Sequence, residues 1–255
     1  MVWQPNVGSN IIRQEFNRKK IMQPFALITG ASRGIGLAIA EYFAKKNYNL
    51  ALVATNQQRL EQVKEQLLKL NANINITIHS IDLAETKTAY LLIKNIISQN
   101  NGRLDILFNN AGILEPGGSE LSLEKFARLH AVNVQGSFAV VKAAVEFMKL
   151  QKSGYIFNVA STAGLRGVAE FGGYCSTKYA LVGLTESLFH ELMPYGIKVT
   201  ALCPGVIDTD MTKDFRRPND KKLVAADVVK TVDYLLSLSS NAMVSSIIID
   251  CPPLV

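Results

Sequence analysis

Cysteine is scarce in this sequence: three residues, Cys175, Cys203 and Cys251, stand far apart with no C-x-x-C pair. Histidine is as scarce, at His79, His130 and His190. Zinc sites and disulfide frameworks need such residues in clusters, so neither is expected and no metal is assigned. The thiols are expected to be free, buried or partly buried, in a reducing compartment. No run approaches the ~18 apolar residues of a membrane span. The first twenty residues lack the continuous apolar stretch of a secretory leader. These absences predict a soluble, cytoplasmic protein with no membrane partner. Acidic residues number 21 against 27 Lys and Arg, a net charge of +6. That excess allows an anionic ligand. Apart from Arg18-Lys19-Lys20 and a cluster over 213–222, however, the cations are scattered, with no basic stripe interleaved with aromatics. No nucleic-acid partner is expected.

What is present is an ordinary globular composition, 48% hydrophobic and 19% charged over 255 residues. Such a chain can bury roughly three-quarters of its unfolded surface. Residues 1–23 differ from the rest: Asn6, Gly8, Ser9, Asn10 and the basic run carry only weak periodicity. They read as an N-terminal extension, partly ordered at best, with a short helix over 11–20 as the alternative and Met22 as a plausible true start. From residue 24 to 255 no linker, repeat or composition break occurs, which predicts one domain.

From Phe25 onward apolar runs alternate with helical patterns. Runs at 25–29, 50–54, 74–79, 104–109, 155–159, 199–203 and 246–250 are short and apolar throughout, as strands covered on both faces should be. Helical spacing falls near 35–46, 57–70, 84–99, 122–150, 173–193 and 224–238. Regular alternation of strand and helix implies a parallel sheet with right-handed crossovers. The expected fold is therefore α/β, a three-layer doubly wound (Rossmann) arrangement of seven parallel strands with helices on both faces. In such sheets ligands bind beyond the carboxyl ends of the strands, where the strand order switches.

The loop after the first strand reads Thr29-Gly30-Ala31-Ser32-Arg33-Gly34-Ile35-Gly36. Glycine is needed where backbone must approach a pyrophosphate or turn with positive φ. The helix N-terminus that follows offers free N–H groups and the positive end of its dipole to an anion. The spacing is G-x-x-x-G-x-G rather than G-x-G-x-x-G. Packing glycines in a tight turn are therefore the competing explanation.

Tyr174 and Lys178 lie four residues apart, on one face of a helical pattern. An ammonium beside a phenol favours the phenolate and so should lower the tyrosine pKa, making it a proton donor or acceptor near neutrality. The Y-x-x-x-K spacing alone says little, since Tyr42/Lys46 and Tyr90/Lys94 share it. Only Tyr174 has a serine thirteen residues upstream at a strand end, Ser161, and a Gly172-Gly173 pair directly before it.

Taken together, the chain resembles the short-chain dehydrogenase/reductase family over residues 25 to about 250. T-G-A-S-R-G-I-G at 29–36, Asp82, N-N-A-G at 109–112, Asn133, Ser161, Y-C-S-T-K at 174–178 and P-G-V-I-D-T at 204–209 arrive in the family's order. The resemblance implies hydride transfer between a nicotinamide cofactor and a carbonyl or alcohol carbon. By it, Tyr174 exchanges a proton with the substrate oxygen and Ser161 holds that oxygen. Lys178 lowers the Tyr174 pKa and binds the ribose hydroxyls, and Asn133 holds a water that relays protons to Lys178. It places the cofactor on Gly30, Ser32, Arg33, Gly34, Ile35 and Gly36, with Asp82 and Leu83 framing the adenine. Asn110, Ala111 and Gly112 line the groove. Tyr174, Lys178, Pro204, Gly205, Ile207 and Thr209 hold the nicotinamide end. For Asn133 the alternative is an amide bonded to backbone, and for Ser161 a cap.

An acidic side chain at the end of the second strand would bond the 2′-hydroxyl of NAD. Here that end reads Val53-Ala54-Thr55-Asn56-Gln57, with no carboxylate. Arg33 can meet a 2′-phosphate with its charged fork, and Thr55 and Asn56 can donate to it. NADP is therefore expected over NAD, and reduction by NADPH is the expected direction.

Residues 114–121, 162–171 and 210–222 should line the substrate pocket, with Leu165, Val168 and Phe171 making an apolar floor. The third segment, with Lys213, Arg216, Arg217, Lys221 and Lys222, could close as a lid. A solvated loop is the plainer reading of its cations, with an acidic substrate as the alternative. The end of the chain lacks the glycine pair that the family's acyl-carrier reductases carry after the last strand. The helices at 122–150 and 173–193 resemble the family's dimer surface, so a homodimer or homotetramer is expected. Two other readings remain: an NAD-dependent alcohol or hydroxysteroid-like dehydrogenase, and a non-catalytic dinucleotide-binding regulator, against which the intact tetrad argues.

Overall fold

The structure, a computed structural model, describes residues 23–252, so the extension expected over 1–23 lies almost wholly outside the described residues. Seven strands form one parallel sheet: β1 (Phe25–Thr29), β2 (Asn49–Ala54), β3 (Ile76–Ser80), β4 (Ile106–Asn109), β5 (Gly154–Val159), β6 (Ile197–Pro204) and β7 (Ser246–Ile249). Their order is β3-β2-β1-β4-β5-β6-β7, and every pairing is parallel. The order reverses between β1 and β4, which places the switch point at their carboxyl ends.

Alternation along the strands separates two apolar cores. Ala26 and Ile28 of β1, with Leu50 and Leu52 of β2, pack on one face against helices α1 (Gly34–Lys45) and α2 (Gln57–Leu70) and on α7 (Ala225–Ser237). Leu27, Ala51 and Leu107 point the other way, onto α3 (Thr86–Gln99), α5 (Ser137–Gln151) and α6 (Gly172–Leu192). The doubly wound arrangement read from the sequence is thus the one observed.

One element departs from its expected form. The single helix expected over 122–150 is α4 (Leu123–His130), a π-helical segment (Ala131–Gly136) and then α5. No proline or early glycine marks the break, so the periodicity reads straight through it. The contact that accompanies the widened turn is tertiary. Gly136 lies so close to the loop after β3 that a Cβ there would sit 2.6 Å from the Leu83 carbonyl oxygen. π turns of this kind recur at functional sites, and Asn133 lies inside this one.

Candidate active site

The switch point is stitched by side chains from both strands. Thr29 Oγ1 accepts the Asn110 and Ala111 N–H groups at 2.9 and 3.0 Å. Asn110 Nδ2 returns bonds to the Thr29 and Gly30 carbonyls at 3.1 and 3.3 Å. The glycine loop is thereby held against the 109–112 turn. Gly30 has φ +65 and no room for a Cβ, which would lie 2.6 Å from Asn110 Nδ2. A Cβ on Gly36 would lie 2.2 Å from the Gly30 carbonyl. Gly36 therefore packs the helix onto the loop and, unlike its neighbours, does not line the cleft. Helix α1 begins with no side-chain cap, which leaves its positive end directed at that cleft.

The cleft runs from the glycine loop past Val53, Ala54, Thr55, Ile81, Asp82 and Leu83. Two residues at this end were not found from the sequence. Arg128 of α4 lines the cleft and pairs with Asp82 at 2.5 Å. Burial raises the Asp82 carboxyl, but the Arg128 bond and charge and the Ala84 N–H outweigh it and hold the group below its usual range. The other residue is Asp210, which accepts from Arg33 Nη1 at 2.9 Å across the mouth of the cleft. Both neighbouring charges belong to segments far away in sequence, so no local motif signals them.

Of the three groups expected at a 2′-phosphate, Arg33 and Thr55 line the cleft. Asn56 does not; its side-chain oxygen instead caps α2 by accepting the Arg59 N–H at 2.8 Å. An asparagine just ahead of a helix is preferred as a cap for this reason.

The second half of the site is a cleft continuous with the first, since Ile35, Asn110, Gly112, Ile113, Thr209 and Met211 border both. Ser161, Tyr174, Lys178, Pro204, Gly205 and Ile207 come together there. Tyr174, on the first turn of α6, is half-buried and hydrogen-bonded to Ser161. Ser161 also accepts the Ala163 N–H at 3.1 Å, so it caps a short 3-10 turn while facing the tyrosine. Lys178 is 5% exposed, and its Nζ donates to the Val159 carbonyl at 2.9 Å. It lies 5.6 Å from the Tyr174 ring centre. A Cβ on Gly112 would be 3.7 Å from that Nζ and 3.3 Å from Asn133 Oδ1, so the glycine keeps a channel open beside the lysine.

Asn133 does not line the cleft. Its side chain accepts the Ile113 N–H at 2.8 Å and donates to the Ile113 carbonyl at 2.9 Å and to Thr177 at 3.1 Å. The amide thus clamps the loop after β4, as in the backbone-bonded alternative, and its side-chain oxygen is committed there.

The expectation that Lys178 lowers the tyrosine pKa is corrected by burial. Desolvation pushes the Tyr174 phenol up to about 12, against the downward pull of the Ser161 hydrogen bond. Desolvation also brings Lys178 down to about 8, opposed by nearby Cys203. With protein groups alone around it, Tyr174 is a protonated phenol at neutral pH, the form able to give a proton to a developing alkoxide.

The other two Y-x-x-x-K pairs are clamps between helices. Tyr42 and Lys46 of α1 both bind Asp233 of α7, at 2.6 and 3.1 Å. Tyr90 and Lys94 of α3 both bind Glu146 of α5, at 2.5 and 2.8 Å.

The pocket beyond Tyr174 is lined by Leu114, Val168, Phe171, Met211 and Phe215, drawn from the three expected segments, whereas Leu165 lies outside it. No cation of the third segment lines it. Lys222 is buried on the Thr212 carbonyl at 2.9 Å, and Arg217 binds the Lys221 and Pro252 carbonyls, both at 3.0 Å. The three thiols are free, with Cys175 and Cys203 buried. Among the described residues no helix is long and apolar enough to cross a membrane.

Comparison with known proteins agrees with this geometry. The sequence profile described as short chain dehydrogenase matches residues 24–220. An uncharacterised oxidoreductase of Staphylococcus epidermidis is 32% identical over 231 residues, covering 90% of this chain and 98% of its own. An alcohol dehydrogenase from the archaeon Thermococcus sibiricus, complexed with 5-hydroxy-NADP, superposes with a TM-score of 0.81 at 30% identity, covering 89% of this chain and 96% of its own. A betaketoacyl-[ACP] reductase from Bacteroides thetaiotaomicron does so at 0.78 and 37% identity, covering 90% and 97%.

Proposed function

The chain belongs to the short-chain dehydrogenase family, and from that premise we propose that it is an oxidoreductase that reduces a ketone or an aldehyde with NADPH. The observation that carries the reading is the meeting of Ser161, Tyr174 and Lys178 at one end of a cleft whose other end is the glycine loop. The residues present fit a dinucleotide: Gly112 leaves space that a Cβ would fill, and the uncapped start of α1 suits a pyrophosphate. Arg33 and Thr55 at the far end suit a 2′-phosphate, and the T. sibiricus relative carries an NADP derivative. When bound, the cofactor supplies the hydride. This chain's residues do the rest. Lys178 binds the ribose, Ser161 orients the carbonyl oxygen by hydrogen bond, and Tyr174 gives that oxygen its proton as negative charge develops. The apolar walls keep water from the reacting carbon. We place the enzyme in the cytoplasm, as a homo-oligomer.

A second reading, an NAD-dependent alcohol dehydrogenase, draws on one observation: Arg33 is engaged by Asp210. The test of catalysis is carbonyl-dependent oxidation of NADPH. Tyr174→Phe is expected to lower turnover by about 10²–10⁴-fold, the usual worth of a positioned acid, while NADPH affinity changes little. Turnover that survives the change would remove Tyr174 from its role. Loss of cofactor binding together with turnover would point to a damaged fold.

A further inference from the structure

We propose that the substrate is a neutral carbonyl compound bearing a flat apolar group, packed against the paired rings of Phe171 and Phe215; this deepens the reductase reading and rests on it. The substrate end of the cleft has two walls from different segments. Phe171 stands just before α6, and Phe215 lies in the segment after β6, where the bond from Thr212 Oγ1 to the Ile207 carbonyl fixes the preceding turn. Their rings pack on each other, 5.5 Å between centres and tilted by 51°, so that the two segments join in one aromatic surface. Val168, Leu114 and Met211 complete the walls, and Met211 and Val168 expose 39% and 43% of their surface with no protein side chain to cover it. Aromatic edges and a methionine thioether suit the faces of a planar apolar group.

Among the described residues Lys178 is the one cation that lines this cleft, and the proposed function commits it to the ribose. Apart from the proton-transfer pair Tyr174 and Lys178, no lining side chain is ionisable. Four cations nearby have partners outside the cleft: Lys222 on the Thr212 carbonyl, Arg217 on two backbone carbonyls, Arg166 on Asp250 at 2.5 Å and Arg33 on Asp210. A carboxylate beside the reacting carbonyl would have to shed its water against Val168, Met211 and two phenyl rings. An unpaired ion is costly in such surroundings. The walls therefore select against charge as well as for apolar surface.

The probes are phenylglyoxylate and its methyl ester, which differ in charge next to the same carbonyl. Each is titrated calorimetrically into protein saturated with NADP⁺, so that no turnover intervenes. The ester is expected to bind about tenfold more tightly than the acid, or better. Phe215→Ala is expected to weaken the ester about tenfold, or 1.4 kcal/mol, without a change in melting temperature, and Phe215→Leu to recover part of it. Equal or tighter binding of the acid, no binding of either probe, or an unchanged ester affinity in Phe215→Ala overturns the inference. The reductase reading fails separately, if the bound ester is not reduced by NADPH. If NADP⁺ itself does not bind, that reading also falls, and the ester-to-acid preference measured on the protein alone still decides the inference.

Discussion

Lys178 shows at the scale of one residue how this site trades stability for chemistry. Its ammonium is buried with a single backbone carbonyl as hydrogen-bond partner, and its pKa falls from 10.5 to about 8. The folded chain therefore resists protonation that the unfolded chain accepts. The penalty is full below pH 8, fades as the pH rises from 8 to 10.5, and is absent above. At 1.36 kcal/mol per pKa unit it amounts to about 3 kcal/mol. Lys178→Met is expected to abolish turnover yet raise the stability of the free protein at pH 7, with the gain shrinking as the pH passes 9. Denaturant melts of both proteins across that range would check it. A variant less stable than the parent at pH 7 would contradict the burial argument. Tyr174 behaves differently: its raised phenol stays neutral in both states through neutral pH, so it adds no pH dependence there.

At the scale of elements, the loops after the strands carry the site and the glycines set their spacing. Gly36→Ala would drive a methyl into the Gly30 carbonyl, 2.2 Å from the built Cβ. The backbone there cannot move without displacing α1 from β1, so a loss of about 3 kcal/mol is expected, with NADPH binding lost as well. Thermal melting and cofactor titration would read the two effects, and an unchanged protein would refute the packing role. This element was legible because a glycine's spacing is a local fact. Strands and most helix positions were legible for the same reason, since alternation and 3.6-residue periodicity record which faces are buried. The π turn at 131–136 was not, because the contact that accompanies it, Gly136 against Leu83, comes from another loop. Nor were the Asp82–Arg128 and Arg33–Asp210 pairs, which join residues 46 and 177 positions apart. The cap made by Asn56 was not legible either, because phosphate donor and helix cap look identical in sequence until the Arg59 N–H is located. The pKa direction at Tyr174 was misjudged because spacing reveals proximity but not desolvation.

At the scale of the whole molecule, apolar side chains remain uncovered on the helices of one layer. Leu91 of α3, Phe138 and Leu150 of α5 and Tyr179 of α6 are exposed, by 47% to 84%. Exposed apolar surface on this scale marks an association face. Sedimentation at micromolar concentration is expected to give at least two chains per particle, and a strictly monomeric protein would refute the oligomer. The two ends of the cleft are also joined across the molecule, because Arg33 of the glycine loop and Asp210 of the segment over the substrate pocket form one exposed ion pair. Exposed pairs contribute about 0–1 kcal/mol, so a 2′-phosphate with two charges can displace the carboxylate from Arg33 at little cost.

The central claim is that NADPH, read at its 2′-phosphate by Arg33, is the cofactor. The most direct test is a nicotinamide fluorescence titration of the protein and of its Arg33→Ser variant with NADPH and with NADH. The account predicts that NADPH binds at least about tenfold more tightly than NADH, a difference of 1.4 kcal/mol, and that Arg33→Ser erases the preference while leaving NADH unaffected. Equal or tighter binding of NADH to the parent protein would contradict it.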